Sequence, residues 1–152
     1  MTALSPSPRV LTGIAFATLA LLGTAGCRSE NQPRTYPARG KVVYKGTGEM
    51  ATRLAGAQVT LEPLSDPKSS QVRGVIDDDG TFSLGSIIDG QNVGGAAPGE
   101  YRGRIVLSDG GGGRRARPPI DPKYLSYDKS GIRVTITSGK NEVIIEVEEQ
   151  RR

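Results

Sequence analysis

From residue 38 onward the chain alternates apolar and polar positions with a period of two, the signature of half-buried strands. Ala38, Gly40, Val42 and Tyr44 share one face of a first strand, with Arg39, Lys41, Val43 and Lys45 on the other. A glycine-rich connection, 45–56, leads to a second strand in which Ala57, Val59 and Leu61 alternate with Gln58, Thr60 and Glu62. Pro63 ends it, because proline lacks the N–H that a central ladder needs. After the loop Ser65-Asp66-Pro67, the residues Val72, Gly74 and Ile76 form the inner face of a third strand, and the chain returns through Phe82 and Leu84. Parity sets that turn. If Ile76 and Phe82 both point inward they are cross-strand partners, so Asp77 faces Thr81 across a three-residue loop, Asp78-Asp79-Gly80. Such loops put their third residue in the left-handed region, which glycine tolerates.

The stretch 85–98 is expected to be flexible, carrying the apolar pair Ile87-Ile88. Pro98-Gly99 opens a strand with Tyr101, Gly103, Ile105 and Leu107 inside and Arg102, Arg104 and Val106 outside. A long excursion, 108–131, follows, in which Ile120, Tyr124, Leu125 and Tyr127 are expected to fold back as a lid on one end. Two alternating strands close the chain, one through Ile132, Val134 and Ile136, the other through Val143, Ile145 and Val147. Joined by Ser138-Gly139-Lys140-Asn141, they are expected to form a hairpin with Arg133 opposite Glu146. The expectation is an all-β fold: a seven-stranded Greek-key β-sandwich, because each strand has one apolar face to bury. The outward parity of Val43, Val106 and Ile144 raises the question of an exposed apolar patch.

The first residues follow a different pattern. Arg9 precedes the apolar run from Val10 to Leu22, about 13 residues, short of the ~20 needed to span a bilayer. Small residues then lead to Cys27. Ala25-Gly26-Cys27 resembles the lipobox of bacterial lipoproteins, with Thr24 in place of the usual leucine. That resemblance implies a cleaved signal peptide, 1–26, and a diacylglycerol thioether with palmitate-like acyl chains on Cys27. Residues 27–36, with Pro33, read as a lipidated tether, 37–149 as the sandwich domain and 150–152 as a basic tail. Arg28 stands where an aspartate would favour inner-membrane retention, so the resemblance favours the outer membrane, with the domain periplasmic or surface-exposed.

Composition narrows the chemistry. Cys27 is the only cysteine, so no intramolecular disulfide forms. The formal net charge of +4 is mild and gives no argument for nucleic acid. With no histidine, imidazole metal sites and Ser-His or Cys-His nucleophile pairs are excluded.

Several segments together carry a family resemblance: Gly40-Lys41-Val42, Ala55-Gly56-Ala57-Gln58-Val59, Asp77 to Phe82, Pro98-Gly99-Glu100-Tyr101, Ile120-Asp121-Pro122-Lys123-Tyr124 and Gly139-Lys140-Asn141. The chain resembles small lipoproteins of planctomycete-type bacteria whose domain is similar to the carboxypeptidase regulatory-like, or transthyretin-like, sandwich. The resemblance implies this fold and a non-catalytic role. Histidine-dependent hydrolases of related fold are excluded by the composition.

Three features are candidate sites. Arg114, Arg115 and Arg117 follow a run of four glycines, 110–113, and have the chemistry to hold carboxylate or phosphate groups of an anionic envelope polymer. Tyr124 and Tyr127 are candidates to line a ligand. Asp77, Asp78 and Asp79 offer a calcium alternative, but an EF-hand register puts Val75 at the first ligand position and Ser86 where a bidentate glutamate belongs. The hairpin turn explains these aspartates without a metal. The functional expectation is a non-enzymatic, membrane-anchored envelope module that meets other proteins and needs no cofactor. The alternative is a module that binds carbohydrate or another anionic polymer through its end loops.

Overall fold

The computed structural model describes residues 33–67, 70–108 and 118–150, and the chain there is an all-β sandwich of two sheets. Its strands are β1 (Ala38–Tyr44), β2 (Gln58–Pro63), β3 (Val72–Val75), β4 (Thr81–Ser83), β5 (Gly85–Ile88), β6 (Gln91–Gly94), β7 (Gly99–Val106), β8 (Arg133–Ile136) and β9 (Asn141–Val147). One sheet has the order β4-β1-β9 and the other β6-β5-β3-β2-β7-β8. Within the larger sheet, β7 returns to lie beside β2, giving β7-β2-β3-β5, the spatial order of a Greek key.

β1 and β9 pair in parallel over their full lengths, from Ala38 with Asn141 to Tyr44 with Val147. The first and last strands therefore start at one end of the sandwich and finish at the other. The first end holds Pro37, whose carbonyl accepts from the Asn141 N–H at 3.0 Å. The second end holds Lys45 and residues 148–150.

The alternation converts directly into packing. Val42, Val59, Leu61, Val72, Ile76, Phe82, Ile105, Ile136 and Val147 are each 2% exposed or less and form the core between the sheets. Phe82 is central to it. Its ring occupies the space a side chain would need at Gly40 on the neighbouring β1, which accounts for glycine there. The β3–β4 turn takes the predicted form: Ile76 bridges Phe82, the Asp77 N–H donates to the Thr81 carbonyl at 2.8 Å, and Gly80 has φ of 83°. From β4 the chain runs through Leu84 straight into β5, passing from one sheet to the other. Gly74 lets it pass, since a Cβ there would lie 2.6 Å from the Ser83 carbonyl oxygen.

Four expectations are corrected. Strands number nine among the described residues, not seven, because the stretch taken as flexible is a hairpin of β5 and β6. Its turn is Asp89-Gly90, both with positive φ (49° and 76°), the geometry Asp-Gly favours in two-residue hairpin loops. Val43 is buried, not outward, because residues 45–51 fold back along β1 and Met50 bridges it. β8 and β9 do not form a hairpin: β8 pairs with β7 and β9 with β1, in different sheets, so Arg133 and Glu146 are not ladder partners. Finally, Thr35 and Tyr36 are bonded into the domain rather than free in a tether, Tyr36 exchanging N–H···O bonds with Ala96 at 2.8 and 3.0 Å.

Truncating Phe82 to alanine is expected to cost about 3–5 kcal/mol, as for buried aromatics generally. The exposed Ile144→Ser should stay within about 0.5 kcal/mol of wild type. Guanidinium unfolding curves check both, with the midpoint moving and the slope unchanged for Phe82→Ala.

Candidate functional site

Separating β8 from β9 leaves both as edge strands, facing each other across the open side of the sandwich. Between them lies a groove of about 630 Å³. One wall is Lys129, Gly131, Ile132 and Arg133, and the other is Ile144, Ile145 and Glu146. Tyr124, Lys123, Lys45 and Glu148 close it at the second end of the sandwich. Beyond that bridge is a hollow of about 500 Å³ bordered by Asp121, Pro122, Glu149 and Gln150.

Local sequence places these groups. Asp121 caps a short 3-10 turn, Pro122–Leu125, accepting from the Lys123 N–H at 2.9 Å, with proline preset for the first turn. The turn drops Tyr124 against the core at 5% exposure and raises Lys123 over its ring, 5.0 Å from the centroid. Ser130 is tied inward, donating to the Gly103 carbonyl at 2.6 Å and accepting from the Ile132 N–H, so its hydroxyl is structural.

Charge in the groove is unevenly matched. Glu148 accepts from Lys123 Nζ at 2.7 Å and from Lys45 Nζ at 3.4 Å. The hydrogen bond from Lys123, ahead of its charge and of Lys45, holds the Glu148 carboxyl below the ordinary range. The same bond raises the Lys123 amine above its usual value. Lys129 and Arg133 have no ion-pair partner among the described residues. The lining thus carries four cations against two carboxylates, a net of +2.

Two acids, Glu146 and Glu148, line this one groove. A carboxylate pair in a cleft is what glycoside hydrolysis uses, but it needs one acid with a raised pKa. Glu148 is displaced the opposite way. The bridge from Lys123 and Lys45 favours the charged form of Glu148.

The other candidates have separate fates. Tyr127 is not brought into the groove with Tyr124. It lies on the outer face of the larger sheet under Arg104 and Arg102, whose guanidinium carbons stand 4.7 and 5.6 Å from its ring centroid. Arg102 also bonds Glu62 at 2.6 Å and Asp128 at 2.8 Å. Asp79 belongs to the turn: its Oδ1 accepts from the Thr81 hydroxyl at 2.6 Å and the Thr81 N–H at 2.9 Å, which lowers its pKa. Among the described residues, Asp77, Asp78 and Asp79 do not form a group able to hold a metal ion. Cys27, Arg114, Arg115 and Arg117 lie outside the described residues. The groove was missed because it arises from where β8 and β9 go, not from any local motif. Val106 and Ile144 are exposed but belong to different sheets, so the suspected apolar patch does not form.

No family model and no curated protein matches the chain. Among solved structures, a DUF3823 family protein from Parabacteroides merdae ATCC 43184 is similar, with 22% identity and a TM-score of 0.45. The match covers 78% of this chain and 48% of that one, so the chain spans about half the length of its structural neighbour.

The Glu148 bridge has a pH signature. The folded pKa of Glu148 is depressed, so its contribution is present above its ordinary 4.5 and is lost as pH falls through the lowered folded value. Lys123 is raised, so its contribution is present below its ordinary 10.5 and is lost as pH climbs through the folded value. Carboxyl-detected NMR titration should find Glu148 low in the wild type and back toward 4.5 in Lys123→Ala. An unchanged midpoint in that variant would refute the assignment.

Proposed function

We propose that this protein is a lipid-anchored module of the bacterial cell envelope, non-catalytic, that holds a partner protein in the groove between its two edge strands, closed at the end of the sandwich opposite the chain's entry. The reading rests on one observation. The chain enters the domain at the start of β1, beside Asn141, whereas the groove is closed by Lys45 and Glu148 at the far end of the same parallel pair. At ~3.3 Å per residue the length of β1 separates the two by about 20 Å. Pro33 and Pro37 stiffen the chain just before it enters the domain.

The lipobox-like residues, Ala25-Gly26-Cys27, support the anchor. Two or three acyl chains hold a protein firmly, at about 0.8 kcal/mol per buried CH2. The absence of histidine and the ionised state of Glu148 support a binding role over a chemical one. A second reading, an anionic polymer gripped by Arg114, Arg115 and Arg117, has support in the positions of the flanking residues. Pro119, two residues after Arg117 in sequence, accepts from the Gln150 N–H at 3.2 Å, beside the hollow at the closed end of the groove.

Intact mass and detergent partitioning of the native protein beside Cys27→Ala test the anchor. A lipid-modified chain beginning at Cys27, with modification and membrane retention both lost in the variant, is expected. A native chain that is unmodified and stays in the aqueous phase refutes it. For the second reading, retention on an acidic polysaccharide should fall when the three arginines become alanine.

A further inference from the structure

The backbone of β9 has a used side and an open one. In the parallel ladder its odd-numbered residues face β1: the Asn141 N–H reaches the Pro37 carbonyl and the Val147 carbonyl accepts from Lys45 N–H at 2.8 Å. The N–H and C=O groups of Glu142, Ile144 and Glu146 therefore point the other way, toward the groove, where no strand pairs with them among the described residues.

The chain itself begins to fill that side. Residues 119–121 run antiparallel to 148–150, with Ile120 bridging Glu149, the Asp121 N–H on the Glu148 carbonyl at 3.0 Å and the Gln150 N–H on Pro119. This added strand stops at Pro122, where the chain turns into the 3-10 segment. A ladder has thus been started on the free edge and abandoned, and the position next in line faces the bare backbone of β9. Ile144 stands there at 60% exposure. Lys129 and Arg133, with no ion-pair partner among the described residues, rise from the opposite wall.

We propose that the free edge of β9 receives an extended, acidic segment of another envelope protein as an antiparallel strand, continuing the pairing that 119–121 begins. Backbone hydrogen bonds supply the register, apolar side chains on one face of the incoming strand lie beside the exposed Ile144, and carboxylates on its other face meet Lys129 and Arg133 across the groove. This inference rests on the binding role proposed above but not on lipidation.

The test uses the full-length chain in detergent micelles and a fluorescent acetyl-(Asp-Val)4 amide peptide, read by anisotropy. Saturable binding is expected. It should weaken at least tenfold for a peptide N-methylated at alternate residues, which cannot complete a ladder, and at least tenfold for Lys129→Glu/Arg133→Glu, both exposed positions whose exchange leaves the core untouched. Ile144→Pro should weaken it similarly while keeping the thermal midpoint, since the N–H it removes makes no bond to β1. The proposal is overturned by equal binding of the N-methylated peptide, by no binding at all, or by tighter binding of an oligouronate. Concentration-dependent self-association that Ile144→Pro abolishes overturns it in favour of a second copy as the occupant. Cys27→Ala should bind the peptide as the native chain does, so a failed anchor and a failed edge give different results.

Discussion

The parallel pairing of β1 with β9 is the constraint on which the rest of this sandwich depends. It joins residues about a hundred positions apart, and closing a loop of that length costs on the order of 4 kcal/mol in the length-dependent part of chain entropy. The seven-residue ladder and the burial of Val42, Val143, Ile145 and Val147 must offset it. Because the two strands run the same way, no short turn could ever join them. Everything between must travel out, build the larger sheet and come back. β4 reaches the other side of β1 only by leaving that larger sheet at the β3–β4 turn and re-entering it through Leu84.

Much of the fold was legible because it is written in local parity. The turn at Asp78-Asp79-Gly80 follows from two inward residues, Ile76 and Phe82, and an odd number of positions between them. The inner faces of β2, β7, β8 and β9 follow likewise. What failed was non-local. Val43 has outward parity but a neighbouring loop covers it. Nothing in either terminal strand states that β9 prefers β1 to its sequence neighbour β8. The β5–β6 hairpin is a different kind of miss. Its Asp89-Gly90 turn was visible, but Gly85, Gly94 and Gly95 around it masked strands that gain their order from pairing with β3 and from Tyr36 on Ala96.

The groove inherits its existence from one side chain in the first turn of β9. Asn141 Oδ1 accepts from the Thr137 N–H at 2.8 Å, while its Nδ2 donates to the Thr137, Gly139 and Pro37 carbonyls at 3.1 to 3.3 Å. These bonds carry the chain across from one sheet to the other instead of back along β8, and Gly139 takes a positive φ of 141° to make the corner. Two consecutive strands then end as edges. Sequence shows an asparagine after Ser-Gly-Lys, which reads as an ordinary hairpin turn. Only the Pro37 contact, more than a hundred residues distant, distinguishes the crossing from the hairpin.

An exposed strand edge is a liability that folded proteins usually blunt with charge, proline or a covering segment. β9 carries two of these devices, and both are partial. Glu142 and Glu146 flank Ile144, and residues 119–121 cover the edge only beyond Val147. Pro122 ends that cover just as it reaches the groove, and the same proline starts the turn that brings Lys123 onto Glu148. One residue therefore both leaves the edge open and builds the charged bridge that closes its far end. Had Asp121 been followed by another extended residue, the chain would have sealed β9 itself, and Lys129 and Arg133 would overlook a finished sheet. The open edge is thus tied to the same turn that shapes the groove.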